Sequence, residues 1–153
     1  PRVLQDGRTV LVSTFSCGLF LLDSLDAARP TATQVASFPR KEGTSCAIPV
    51  IVGHYYLVTV PAWSAVVSLD IRNPRAPREV SRAVFDSTDV PHWIAVSPDQ
   101  RRVVVTGYAT MASTVQMLRF DPATGQLARD GRFRVAPRGV PHGAVFSLSS
   151  PRR

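Results

Sequence analysis

Lysine is almost missing from this 153-residue sequence: Lys41 stands alone beside seventeen arginines. Cysteine is scarce too. Two cysteines, Cys17 and Cys46, do not make a disulfide framework and form no Cys-x-x-Cys pair; the redox compartment stays open, leaning reducing. No apolar run approaches the ~18 residues of a membrane span. No basic segment leads into an apolar stretch with a cleavage site, so no secretory signal is read; a cytoplasmic location is favoured, with periplasmic or secreted alternatives open. Apolar residues nowhere recur at i, i+3, i+4 and i+7, so helix should be nearly absent. There is no P-loop, no dinucleotide fingerprint and no Ser-His-Asp set. The net charge of +7 could suit nucleic acid, but no helix-turn-helix, RRM or finger pattern accompanies it. The arginines scatter over turns and strand ends, with one denser group at Arg129, Arg132, Arg134 and Arg138. They read as solvated charge rather than as a nucleic-acid surface.

What is present is a repeat. Val90-Pro91-His92 returns as Val140-Pro141-His142, each followed within a few residues by Ala, an apolar residue and Ser. Ser13, Thr59 and Thr106 end similar apolar strands 46 and 47 residues apart. Asp23, Asp70 and Asp121 end the strands that follow, 47 and 51 apart. Short β-branched and apolar runs, separated by Gly and Pro, fill each period. Four short strands in about 47 residues, repeated, read as the blades of a β-propeller. Within a blade the first strand, as in residues 46–52, should be the most apolar, and the fourth, as in 78–85, the polar outer edge. A β-sandwich is the competitor, but it does not explain a period that restores the same residue types.

The expected organisation is therefore all-β, a partial ring of about three antiparallel blades. Residues 1–44 form a blade lacking its first strand, 45–88 and 89–137 form complete blades, and 138–153 supply the first strand of a further one. Since propellers close with ~4–8 blades, the rest of the ring would come from a longer chain or from a second copy.

Residues 90–108 (VPHWIAVSPDQRRVVVTGY) resemble the inner-strand signature of seven-bladed propellers of the YVTN/lactonase type, and residues 121–127 (DPATGQL) their turn from third to fourth strand. Residues 68–81 (SLDIRNPRAPREVS) resemble the corresponding connection of the selenium-binding protein (methanethiol oxidase) family. Residues 140–147 (VPHGAVFS) resemble that family's Pro-His at the start of an inner strand. The resemblance implies a seven-bladed ring and, for some members, a copper-dependent thiol oxidase. The family's selenium-linked cysteine motif has no match here, and neither Cys17 nor Cys46 takes that role.

His92 and His142 occupy the same place in neighbouring blades, at the start of the innermost strand, where equivalent positions converge on the central channel. Neutral imidazoles facing one point suit copper, zinc or iron. Cys46-Ala47 aligns with Pro91-His92, which makes Cys46 a third, softer candidate ligand. The competing reading of each histidine is a ring bonded to a neighbouring loop. His54 reads as a surface turn residue and Cys17 as small-residue packing. Trp63, Tyr108 and Met111 share the loop after the second strand, as anchors or as walls of a ligand pocket at the channel mouth. The recurring aspartates read as turn formers. Three functions compete: a metal-binding or metal-dependent oxidase propeller with copper favoured, a lactonase-like hydrolase using a metal to polarise a carbonyl, and a non-catalytic scaffold presenting its loops to a protein.

Overall fold

The computed structural model describes residues 1–23, 25–46, 48–87, 89–107, 115–133 and 141–147. They build three separate four-stranded antiparallel sheets in which every strand pairs with its neighbour in sequence. The first sheet holds β1 (Arg2–Val3), β2 (Val10–Ser13), β3 (Gly18–Leu22) and β4 (Ala32–Ser37). The second holds β5 (Val50–Val52), β6 (Tyr55–Val60), β7 (Ala65–Asp70) and β8 (Arg78–Val84). The third holds β9 (Pro91–Val96), β10 (Arg102–Gly107), β11 (Val115–Phe120) and β12 (Leu127–Arg129). The helical content among the described residues is one 3-10 turn, Pro61–Trp63.

The middle sheet shows why the sequence folds this way. Side chains alternate across a strand, so β6 sends Tyr56, Val58 and Val60 to one face and Tyr55 and Leu57 to the other. The first set packs with Leu11, Leu19 and Leu21 of the first sheet. The second packs with Ile94, Val103, Val105 and Phe120 of the third. A strand buried on both faces must be apolar at every position, and Tyr55–Val60 is buried throughout. β8 lies at the outer edge, and its residues are mostly exposed or half-buried.

Three details depart from the sequence reading. The first sheet does have an innermost strand, the two-residue β1 paired to β2. The most buried strands are the second and third of the middle sheet, not the first: β5 spans Val50–Val52 and is only half-buried at two of its three positions. Sheets flank β6 and β7 on both sides, whereas an innermost strand borders the open axial side. Finally, residues 141–147 run alongside the third sheet without forming a strand. A strand requires a hydrogen-bonded neighbour, and 141–147 have no ladder partner among the described residues; 138–140 and 148–153 lie outside them. Trp93 Nε1 still donates to the Ala144 carbonyl at 3.1 Å, so the segment is held against β9.

The turn residues fix how one sheet meets the next. Asp70 and Asp121 each accept a backbone N–H two residues on, from Arg72 and Ala123. Asp23 of the first sheet pairs with Arg75 from the third-to-fourth-strand turn of the second. Tyr55 donates its hydroxyl to the Ala123 carbonyl at 3.1 Å, and its ring lies where a Cβ on Gly125 would fall, 2.4 Å from a ring carbon. Gly125 is also at φ +74°, so both space and backbone demand glycine there.

Candidate site at the channel mouth

Strands one and three of each sheet start on the same rim, because successive strands run antiparallel. That rim carries the loops 14–17 and 61–64 together with the starts of the innermost strands. His92 is the second residue of β9 and is 9% exposed. His142 stands at the matching place after the third sheet and is exposed. The two rings come together with centroids 5.1 Å apart and planes inclined by 18°.

The same device holds both. Thr59, at the end of β6, donates its hydroxyl to the His92 carbonyl at 3.3 Å. Thr106, at the equivalent end of β10, donates to the His142 carbonyl at 2.9 Å. Each strand-ending threonine is almost fully buried, at 0% and 2% exposure. A hydroxyl buried there must find an acceptor, and it finds the backbone of the next innermost segment. In the second and third sheets the threonine near the end of the second strand is thus the peg on which the following histidine hangs.

Burial lowers the pKa of His92 below the ordinary histidine value, and the nearby His142 lowers it further. Its ring therefore stays neutral at neutral pH and keeps a lone pair for a ligand or a proton.

Cys46 does not join this pair as a thiolate. It forms a disulfide with Cys17, Cα atoms 5.0 Å apart, and both residues are buried. The register explains the correction. Cys46 corresponds to Pro91, one residue before His92, and neighbours along an extended chain point to opposite sides. Ala47, at the histidine's own position, lies outside the described residues. The disulfide also changes the reading of Cys17 from packing to cross-link, joining the loop after β2 to the start of the next innermost strand. Cys17 takes a left-handed backbone, φ 68°, as does Ser64 in the equivalent loop of the second sheet, φ 46°.

Other candidates sort plainly. Trp63 is an anchor between the first two sheets, with Phe38 edge-on to its ring at 5.9 Å and the Arg82 guanidinium 3.6 Å above it. Tyr108 and Met111 lie outside the described residues. His54 is in the opposite rim and packs on Tyr55. The sequence reading passed over Asp89, a carboxylate only 2% exposed just before Val90-Pro91-His92, which accepts from Gln116 Nε2 at 3.1 Å. An acidic residue directly before the repeated motif was the available signal. Among the described residues, no group of three or more His, Cys, Asp or Glu side chains could hold a metal ion.

Sheets of this kind, stacked face to face around one rim of inner-strand starts, define a β-propeller, and the chain is part of one. Solved structures agree. A hypothetical selenium-binding protein of Sulfolobus tokodaii superposes with a TM-score of 0.65 at 18% identity, over 86% of this chain and 39% of its own. The periplasmic gluconolactonase of Pseudomonas aeruginosa gives 0.64 at 18% identity, over 80% and 35%. The β-propeller domain of Myceliophteria thermophila Cps50 (Swd1) gives 0.56 at 14% identity, over 84% and 40%. The chain thus spans between 35% and 40% of each of these structures. No family model matches it, and no curated protein does. Among the described residues no helix is long and apolar enough to cross a membrane.

Proposed function

We propose that this chain belongs to a propeller of the selenium-binding-protein type that binds a transition metal, copper favoured, through His92 and His142, and serves as a metal-dependent thiol oxidase. The observation that carries the reading is the meeting of two imidazoles from successive innermost segments, centroids 5.1 Å apart, on one rim. Blade packing asks for apolar residues at that point and has no use for histidine. The donor set fits in part: two imidazoles, one of them kept neutral by burial, suit copper or zinc. Further ligands would come from residues beyond these. When bound, copper would supply the electron-accepting step of thiol oxidation. The chain's own part is to hold the rings, through the Thr59 and Thr106 hydroxyls on the two histidine carbonyls, and to keep His92 unprotonated.

The Cys17–Cys46 disulfide favours an oxidising compartment, because such bonds are rare where thiols are kept reduced. This shifts the preference away from the cytoplasm.

The test is elemental analysis of the full-length protein. Stoichiometric copper in the wild type, lost in His92→Ala and in His142→Ala, is the expected result. Metal content unchanged by both substitutions overturns the reading and leaves the hydrolase and scaffold functions.

A further inference from the structure

On the rim opposite the histidines, the third sheet carries a cleft of about 310 Å3 lined by Asp99, Arg101, Arg102, Arg119, Phe120 and Asp130. Arg102 of β10 and Arg119 of β11 are direct cross-strand partners. Like charges placed opposite one another across a sheet are destabilising, and Arg101 adds a third guanidinium beside them. None of the three makes an ion pair among the described residues, where the pairs are Arg8–Asp26, Arg72–Asp70, Arg75–Asp23, Arg82–Glu79 and Arg129–Asp86. The two carboxylates at the lip hydrogen-bond within their own turns, although Asp99 also feels the charges of Arg102 and Arg101. Asp99 accepts from the Ser97 hydroxyl at 2.5 Å and from the Arg101 N–H at 3.1 Å, and Asp130 from the Arg132 N–H at 3.1 Å.

The middle sheet shows what this place holds elsewhere. There the same two positions are Tyr55 opposite Asp70, and the tyrosine is buried against Phe120 of the next sheet. In the third sheet the first position is Arg102, its cross-strand partner is Arg119, and the strand-ending aspartate stands two residues further on, at Asp121. The rim also stays open where two sheets are in place. Between the first and second sheets it keeps a cleft of about 490 Å3, lined in part by Asp6, His54 and Arg72.

We propose that the Arg101–Arg102–Arg119 cleft is a binding site for a multiply charged oxyanion of the phosphomonoester class. Guanidinium groups bind phosphate oxygens in paired hydrogen bonds, and a dianion between Arg102 and Arg119 turns their repulsion into two attractions. The site is separate from the histidine pair and does not depend on its function.

The experiment is calorimetric titration of the full-length protein with inorganic phosphate and with phenyl phosphate, at ionic strength matched with chloride. Saturable binding is expected, weakened at least about tenfold in Arg102→Ala/Arg119→Ala and less in Arg102→Lys/Arg119→Lys, which keeps charge but loses the planar fork. Arg8→Ala, outside the cleft, should bind as the wild type does. Absence of saturable binding, or equal binding by wild type and the alanine pair, overturns the proposal. If the alanine pair does not fold, the lysine pair and a phosphate-dependent rise in wild-type Tm decide. A Tm lowered by the lysine pair with no response to phosphate in either protein gives the arginines to a carboxylate of another blade, and also overturns it.

Discussion

The two junctions between neighbouring sheets are closed differently on the same rim. Between the first and second sheets, the segment leading into the innermost strand is fastened covalently, Cys46 to Cys17. Between the second and third, a hydrogen bond from Thr59 to the carbonyl of His92 holds it. Where the cross-link sits, the side chain is consumed in holding the backbone. Where a threonine holds the backbone by its carbonyl, the side chain is not what fastens the segment, and an imidazole stands there.

Removing the covalent fastening should have the largest effect. Replacing both cysteines by serine is conformationally mild, since Ser64 already adopts the left-handed backbone that Cys17 needs. For cysteines 29 residues apart, the loss of loop-closure restraint predicts a destabilisation of about 3.5 kcal/mol. Denaturant unfolding of the double variant, against wild type with and without a dithiol reductant, checks it. Reduced wild type should fall to the level of the variant. Equal stability of all three would mean that the disulfide closes nothing the packing has not already closed.

Breaking the second fastening should cost less. Thr59→Val keeps the shape and leaves the His92 carbonyl without its donor, for a loss of about 1 kcal/mol, rising if no water reaches it. Thr59→Ser should restore most of it. Thr106→Val is the sharper comparison, because its partner segment, residues 141–147, forms no ladder and leans on this bond and on Trp93. In that variant the amides of 141–147 should exchange faster while those of β10 stay protected.

The framework was legible because the constraint was strong. β6, β7 and β10, Tyr55–Val60, Ala65–Asp70 and Arg102–Gly107, are short β-branched and apolar runs of the kind that fills each period of the sequence. Each is bounded by turn residues, and the first two are apolar at nearly every position, as burial on both faces requires. The innermost strands were harder. β5 begins at Val50, not at Cys46, since Pro49 has no N–H for a ladder and Cys46 is bound elsewhere. The histidine pair was legible as a repeated position. The disulfide was not, although both cysteines could be placed near one rim. Pairing them needs the distance between neighbouring blades, which no spacing along the chain supplies. Asp89 was missed because one buried carboxylate has no period to reveal it.

The smallest effect separates the two junctions by pH. His92 has its pKa lowered from the ordinary histidine value when folded, through burial first and the charge of His142 second. In the unfolded chain it returns to about 6.5. As pH falls through that value the unfolded state takes up the proton first, so stability present at neutral pH is lost on acidification toward the folded pKa. Wild-type Tm should therefore drop between about pH 7 and about pH 5 by more than that of His92→Gln, which has no proton to bind there. His142→Gln should lie between them, since it relieves the charge but not the burial. The cysteine-to-serine pair should show the full wild-type slope from a lower starting point, because a disulfide does not titrate. Parallel slopes in wild type and His92→Gln would place the acid sensitivity elsewhere and leave His92 as an ordinary solvated ring.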